Sequence, residues 1–216
     1  MTQKVNPTQE QHYRLRIRFA KNEPLRLLGH RDLIRVLERV FRRASLELAM
    51  SKGFHPRPQM RFPDPLAVGQ VGLDEVMDLV VVTIDDPMQL KARLNQNSLQ
   101  GLEFKHIDIL SEDEKKLKAE NFCYEISIRQ EIREEVAVKV DRFLAEENYF
   151  VQRKGREQTI DIRPLVLDLR LEGCQLKMRL KATQEAGVRP KDILELLDLA
   201  TDSRRGTVLT RTTVQL

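Results

Sequence analysis

Hydrophobic and polar residues alternate strictly near the start of the chain, over the run Tyr13-Arg-Leu-Arg-Ile-Arg-Phe19. Successive side chains of a β-strand point to opposite faces of a sheet, so this period of two predicts a strand with one apolar face. The apolar side chains are expected to face the core, and the polar side chains, which are Arg14, Arg16 and Arg18, are expected to point outward.

The period changes to that of a helix between His30 and about Ser45. One side of this segment is apolar, and its stripe consists of Leu33, Leu37, Val40, Phe41 and Ala44. At about 100° per residue, the opposite side carries four arginines with Glu38 as the only acid among them: Arg31, Arg35, Arg39 and Arg42. The pattern therefore predicts an amphipathic helix with a continuous basic face.

The remaining pattern predicts an order of elements that occurs twice. In the first half, strands are predicted near residues 46–50, 59–62, 76–84 and 102–110, with a helix from Asp86-Pro87 to about Asn95. In the second half, strands are predicted at 122–128, 164–171, 175–180 and 207–216, and helices at 134–147 and 190–199. An extra hairpin is predicted to turn at Lys154-Gly155.

Each half thus has the order β-α-β-β-α-β, which fits a split βαβ arrangement of four antiparallel strands with two helices on one face. The predicted fold class is α+β, with two tandem ferredoxin-like domains. We place the N-terminal domain at residues 13–110 and the C-terminal domain at 122–216. A disordered lead-in at 1–12 and a charged linker at 111–121 complete the prediction.

Charge is distributed unevenly along the chain, although the net charge is only +4. Residues 1–70 hold 14 Lys or Arg and 6 Asp or Glu, a balance of +8, whereas the rest of the chain has a balance of −4. This asymmetry indicates a polyanionic partner or an acidic protein surface. A surface kept charged for solubility alone is the alternative interpretation.

Polar residues of two segments form a candidate anion site. Arg26, His30 and Asp32 lie at the entry to the arginine helix, and the loop Ser51-Lys-Gly-Phe-His-Pro-Arg-Pro58 lies between two predicted strands. Pro56 and Pro58 stiffen this loop, so that its cationic side chains suit a phosphate near His30. The alternatives are an ordinary prolyl connection and, for His30, an N-terminal helix cap. The predicted anion-binding or RNA-binding residues are Arg16, Arg26, His30, Arg35, Arg39, Arg42, Lys52, His55 and Arg57.

The sequence contains none of the common cofactor or catalytic motifs. It lacks a phosphate-binding loop, a dinucleotide-binding glycine motif and the H-E-x-x-H metal motif, and it has only two cysteines and four scattered histidines. We therefore expect no cofactor and no metal site. No apolar run is long enough to span a membrane, so the expected location is the cytoplasm. Aromatic residues make up only 5% of the chain, which argues against an extensive base-stacking surface.

Several motifs together resemble a known family. They are Arg26-Leu-Leu-Gly-His-Arg-Asp32, the arginine helix, the loop 51–58, and Phe62-Pro-Asp-Pro-Leu66 through Gly69. This combination is similar to the radical-SAM-linked proteins, a bacterial domain of unknown function that is fused to radical SAM enzymes or occurs as a separate chain. The resemblance implies a radical S-adenosylmethionine enzyme as a partner in trans, because this chain carries no cluster motif.

Two functions follow from these observations. The first is a non-catalytic accessory module that binds RNA or another anionic substrate and works with a radical SAM enzyme. The second is a metal-independent endoribonuclease, because tandem split βαβ domains with a histidine near the first helix also resemble the CRISPR-repeat RNA-processing enzymes. In that alternative His30 and His55 would supply the acid and the base.

Overall fold

The structure is a computed structural model, and it describes residues 12–153, 159–183, 187–199 and 207–216. It confirms a mixed α+β protein with a largely antiparallel sheet and few helices. The predicted lead-in, apart from His12, and the predicted turn at Lys154-Gly155 lie outside the described residues.

The first half contains four strands and two helices. They are β1 (Tyr13–Lys21), α1 (His30–Arg43), β2 (Met60–Arg61), β3 (Val71–Val81), α2 (Pro87–Gln96) and β4 (Leu102–Leu110). The helix α2 begins as its sequence predicts, because the Asp86 side chain accepts a hydrogen bond from the Gln89 amide and Pro87 occupies the first helical position.

The second half repeats this order with an inserted hairpin. Its elements are β5 (Asn121–Ser127), α3 (Arg133–Ala145), β6 (Phe150–Gln152), β7 (Thr159–Asp161), β8 (Val166–Glu172), β9 (Gln175–Lys181), α4 (Pro190–Leu196) and β10 (Thr210–Gln215). The hairpin β6–β7 forms a small sheet of its own.

The strands of the two halves lie in one continuous sheet. In the first half the order is β4-β1-β3-β2, and in the second half it is β10-β5-β9-β8, with every neighbouring pair antiparallel. The halves meet where β10 pairs with β3 in parallel, over Thr210 with Val71 and Arg211 with Gly72. This junction involves only two residue pairs in register.

Each half has its own hydrophobic core between its helices and its strands. The apolar stripe of α1 packs with Leu90 and Leu94 of α2 against the inward side chains of β1, β3 and β4. A second core joins α3 and α4 to β5, β8 and β9. The predicted apolar faces of β1 and α1 are therefore the faces that are buried.

The strand predicted at residues 76–84 begins five residues earlier, at Val71. Its early part contains Asp74 and Glu75, and such acidic residues are unusual in a central strand. They are accommodated because each forms an ion pair with an arginine from a neighbouring strand, Arg18 on β1 and Arg211 on β10.

The segment predicted as a linker packs against the back of the sheet. Leu117 and Ala119 are buried there with Val76 of β3 and Val214 of β10. The backbone amide of Glu120 donates to Gln215, so the chain enters the second half already hydrogen-bonded to it. The charged residues of this segment stay on the solvent side, which explains why its sequence is so polar.

Candidate functional site

The outer side of α1 is a basic surface. Its apolar stripe is buried, and the opposite side exposes a set of arginines that we call the α1 basic face: Arg31, Arg35, Arg39, Arg42 and Arg43. Arg43 extends the stripe that the sequence predicts by one residue at the helix C-terminus. Positive charge is favourable there, because it complements the partial negative charge of the last helical turn.

Most arginines of the α1 basic face have no carboxylate partner. Arg35 pairs with Asp32 at 3.0 Å, but both side chains are more than half exposed, at 70% and 54%. Within the described part of the chain, Arg31, Arg39, Arg42 and Arg43 form no ion pair. Exposed pairs contribute little, so Arg35 also stays available to a stronger anion.

A second group of cations lies on the loop Ser51–Pro58. Met50 and Pro58 pair across its base, the Ser51 amide donates to the Arg57 carbonyl at 2.8 Å, and the Arg57 amide donates to the Ser51 hydroxyl at 3.1 Å. The side chains of Lys52, His55 and Arg57 are exposed. The predicted strand at residues 46–50 is reduced to single bridges, because the chain makes this excursion from the sheet edge.

The loop leaves the sheet at the end where α1 finishes. After α1, Leu48 pairs with Val81, which lies opposite Tyr13 at the start of β1. The loop base follows two residues later, at Met50. The connectivity therefore puts Lys52, His55 and Arg57 at the same end of the first half as Arg42 and Arg43.

His30 lies at the other end of α1, so the predicted group of His30 with the loop cations does not form. A helix of 14 residues is about 20 Å long, which separates the two ends. The His30 ring packs edge-on against Phe62, with ring centroids 4.9 Å apart. Gly29, not His30, is the N-cap residue of α1, so His30 does not cap the helix either.

The charge state of His30 is set by its surroundings. Burial and the positive charge of Lys21 lower the pKa of His30 below its ordinary value, whereas Asp64 acts in the opposite direction. Lys21 lies at the end of β1 and Asp64 lies in the loop before β3, so two other segments of the chain affect the pKa of His30.

Arg16 is separated from the α1 basic face, because it lies on the opposite side of the sheet. Its guanidinium donates to both oxygens of Asp78, at 2.8 and 3.1 Å, and it also pairs with Glu114. The neighbouring Arg14 and Arg18 are held in the same way, by Asp78 and by Asp74. These arginines neutralise the acids of β3 and anchor residues 114 and 115 of the connecting segment.

Arg26 also has a role in the fold. It pairs with Glu23, and its backbone and side chain bond to Gly69, which ties the turn before α1 to the loop before β3. Of the nine predicted site residues, the structure therefore brings four to one end of the first half, namely Arg42, Lys52, His55 and Arg57, while Arg35 and Arg39 are exposed farther back along α1.

A buried charge cluster at the junction of the two halves is not predicted from the sequence. Arg211, only 1% exposed, pairs with Glu75 and Asp64 and lies over the Phe122 ring at 5.0 Å. Lys21 is buried nearby, and it donates to the Leu28 carbonyl at 2.8 Å. A signal was present for Lys21, because it continues the inward phase of the β1 alternation; no comparable signal marks Arg211.

The cluster forms the base of a cleft between the loop Asp64–Gln70 and α4. The cleft has a volume of about 940 Å³, and Tyr124 and Arg211 are among its lining residues. Burial raises the pKa of Tyr124 to about 12, so its hydroxyl stays protonated at neutral pH. The guanidinium of Arg211 is occupied by Glu75 and Asp64, so this side chain is not free to bind an anion that enters the cleft.

Two further observations on the described residues concern metal ions and membranes. No group of three or more His, Cys, Asp or Glu side chains within the described ranges is arranged to hold a metal ion. None of the helices seen in the described part of the chain has both the length and the apolar character needed to cross a membrane.

These observations define an α+β protein whose two halves share one sheet and whose first half has a basic helix face beside a cationic loop. Residues 14–190 match the family described as "Uncharacterized protein conserved in bacteria (DUF2344)", and the chain belongs to this family. The matched region includes both halves as far as the start of α4, and all nine predicted site residues. No curated protein sequence matches the chain.

Proposed function

We propose that this protein is a non-catalytic accessory module that binds RNA, or another anionic substrate, and works in the cytoplasm with a radical SAM enzyme in trans. The observation that carries the proposal is the α1 basic face, where four of five exposed arginines have no carboxylate partner among the described residues. Arginine guanidinium groups are well suited to phosphate, because their planar donors match its oxygens.

The dimensions of the surface fit an extended anion better than a single ion. Arg31 and Arg43 are 12 residues apart on one helix, which corresponds to about 18 Å along its axis. Lys52 and Arg57 add charge, and His55 adds a hydrogen-bonding side chain, near the C-terminal end of the same helix. A row of cations of this length favours a ligand with several phosphates, such as RNA.

The fold proposal is that each half is a ferredoxin-like domain, with bounds at residues 13–110 and 122–216. It is supported by the strand orders β4-β1-β3-β2 and β10-β5-β9-β8, which correspond in the two halves and are antiparallel throughout. In each half two helices share one core with these strands, as a split βαβ arrangement requires.

The proposed partner rests on the resemblance of the N-terminal motifs to the radical-SAM-linked proteins. Their residues come together in the structure: Arg26 bonds to Gly69, His30 packs on Phe62, and Asp64 pairs with Arg211. These contacts give the motif a structural reason, since they hold the start of α1 and the loop before β3 in place.

The endoribonuclease alternative receives no comparable support. Metal-free cleavage of RNA needs an acid and a base within hydrogen-bond distance of the same phosphate. His30 begins α1 and is half-buried against Phe62, whereas the loop that carries His55 leaves the sheet near the other end of this helix, which is about 20 Å long. This placement favours a protein that binds RNA without cleaving it.

Binding is tested with the full chain and labelled RNA over a series of salt concentrations. We expect the affinity to fall linearly with salt on a logarithmic plot, because each neutralised phosphate releases counterions, with a slope of roughly 0.7 per contact for a single strand. The double variant Arg39→Ala/Arg42→Ala should bind more weakly, and its slope should fall by the amount that corresponds to one or two lost phosphate contacts.

Arg142→Ala is the matched control. Arg142 is an exposed arginine on α3, the helix that corresponds to α1 in the second half. If Arg142→Ala weakens binding as much as the α1 variant, binding does not use the α1 basic face. If the wild-type protein binds no RNA at low salt, the RNA proposal fails.

The partner is tested by purifying the tagged chain from its native cell and identifying what co-purifies. The expected result is a protein with a cysteine cluster motif for S-adenosylmethionine chemistry, whose recovery does not change after nuclease treatment. Recovery of RNA without such an enzyme would remove the partner from the proposal and leave the binding function.

A further inference from the structure

The loop at residues 51–58 carries an aromatic ring, that of Phe54, which does not pack against the core. Phe54 is 103% exposed, whereas the next most exposed large hydrophobic residues of the described chain, Met88 and Val138, are 68% exposed. Single exposed hydrophobic residues are common on proteins, so the exposure of Phe54 matters here only together with the residues around it. Phe54 is fully surrounded by solvent, so it does not contribute to the folded core.

The loop is held in shape even though its tip is not packed. Ser51 and Arg57 are linked by one backbone hydrogen bond and by a second one from the Arg57 amide to the Ser51 hydroxyl, and the Gln59 side chain donates to the Met50 carbonyl at 3.1 Å across the loop base. Gly53 has a φ of +147°, a backbone conformation that residues with a side chain rarely adopt, so this glycine allows the turn just before Phe54. Phe54 is thus presented by a loop whose base is closed by hydrogen bonds.

The residues around Phe54 in the sequence are basic, and no acidic residue near them balances their charge. Lys52, His55 and Arg57 flank it, and no acidic residue occurs between Glu47 and Asp64. A chain extends at most about 3.5 Å per residue, so the α-carbons of Lys52 and Arg57 lie within roughly 7 and 10 Å of that of Phe54. An aromatic ring between cations is the arrangement by which proteins bind single-stranded nucleic acids.

We propose that Phe54 stacks on an unpaired base of the RNA while Lys52 and Arg57 contact the adjacent phosphates. The inference rests on the proposed RNA-binding function and specifies its ligand as single-stranded or bulged RNA rather than continuous duplex. Stacking on one ring is tolerant of sequence, because every base presents a π-face. The charge around the ring favours this ligand over an apolar pocket on a protein, since such a pocket offers nothing to the flanking cations.

The chain contains no tryptophan, which makes Phe54→Trp a single fluorescent reporter at the proposed contact. The full chain is mixed with an A-rich RNA 12-mer, either single-stranded or annealed to its complement. We expect the single strand to quench the fluorescence of Phe54→Trp and the duplex to leave it nearly unchanged, because only an unpaired base is free to stack.

Binding of the same two RNAs is compared for Phe54→Ala and for the control Phe150→Ala. Phe150 is also an exposed phenylalanine, at 64%, but it lies on β6 in the second half. Loss of one stack should weaken binding of the single strand by roughly 5- to 100-fold, leave duplex binding unchanged, and not occur in Phe150→Ala. Circular dichroism of each variant confirms that it is folded.

The outcomes separate this inference from the proposed function. If the wild-type protein binds RNA but Phe54→Ala binds the single strand equally well, the stacking contact is refuted and RNA binding stands. If Phe54→Ala keeps RNA binding but no longer co-purifies a protein partner, Phe54 serves protein docking and the inference is likewise overturned. If the wild type binds neither RNA, the proposed function and the stacking contact fail together.

Discussion

Replacing Arg211 by methionine should strongly destabilise the protein, because this side chain joins the two halves of the sheet. It extends from β10 to Glu75 of β3, with Nε donating to Oε1 at 2.7 Å, and to Asp64 in the preceding loop, with Nη1 donating to Oδ2 at 3.1 Å. The backbone junction itself consists of two residue pairs in register, and this ion pair joins the halves beside the apolar contact of Val76 with Val214.

The magnitude follows from what the substitution leaves behind. Methionine fills much of the volume of the arginine stem, so the main cost is that Glu75, only 6% exposed, loses its principal hydrogen-bond donor. Removing one partner of a buried ion pair costs about 3–5 kcal/mol. For a chain of this size that corresponds to a fall of about 6–20 °C in the midpoint of thermal unfolding.

The assay is urea and thermal unfolding followed by far-ultraviolet circular dichroism, since the chain has no tryptophan to follow by fluorescence. Arg93→Met is the matched control, because Arg93 pairs with Asp85 in a position where both side chains are more than one-third exposed. An exposed pair of this kind contributes about 1 kcal/mol or less.

The double variant Glu75→Gln/Arg211→Met tests the cause. It removes the buried charge that Arg211→Met leaves unpaired on Glu75, and the remaining carboxylate of Asp64 is 52% exposed to solvent, so the double variant should recover part of the stability that Arg211→Met loses. The reasoning is refuted if Arg211→Met and Arg93→Met unfold within about 1 kcal/mol of each other. It is also refuted if the double variant is as unstable as the sum of the two single variants.

Three further predictions concern other parts of the structure. Burial and the charge of Lys21 both lower the pKa of His30, so this pKa, measured by NMR titration, should rise toward its ordinary value in Lys21→Met; an unchanged pKa would refute the electrostatic effect of Lys21. Asp192 is buried, but arginine side chains that bond to it keep its pKa below the ordinary value, so its stabilising effect is present at neutral pH and is lost as the pH falls below about 4. The difference in unfolding midpoint between wild type and Asp192→Asn should therefore shrink between pH 7 and pH 3, and a constant difference would refute it. Leu117→Ala should cost about 2–3 kcal/mol because Leu117 is buried behind the sheet, whereas the more exposed Leu99→Ala should cost less than half of that; equal costs would mean that the connecting segment is not packed.

The regular elements were predictable because local periodicity determined them. The alternation of β1 and the apolar stripe of α1 each identify a buried face without any knowledge of the partner element. The start of β3 was not predictable in this way, because Asp74 and Glu75 are tolerated only through arginines that are distant in sequence. The Arg211–Glu75 pair joins residues 136 positions apart, and local sequence contains no information about such a pairing.

In the candidate site, too, the features that depend on local spacing were predictable, and those that depend on distant parts of the chain were not. The exposure of Arg39 and Arg42 follows from helical spacing, so the sequence predicted it. The expected contact between the loop 51–58 and His30 depended on where the chain leaves the sheet edge, and the register of Leu48 with Val81 puts the loop at the opposite end of α1. Arg16 was expected on the binding surface because its side chain points away from the core. The alternating pattern could not show that Asp78 and Glu114 lie on the same side of the sheet and form ion pairs with it.

The second half offers an internal control on whether the arginines of α1 serve the fold. The helices α1 and α3 each follow the first strand of their half and bury an apolar stripe, but α1 has five arginines and two acids, whereas α3 has three basic and three acidic residues. A helix in this position therefore does not need a basic outer face to pack. We expect Arg39→Ala/Arg42→Ala to unfold within about 0.5 kcal/mol of the wild type, as exposed substitutions usually do. If urea unfolding instead shows a loss above about 1 kcal/mol, the arginines stabilise the fold, and their exposure no longer argues for an anionic ligand.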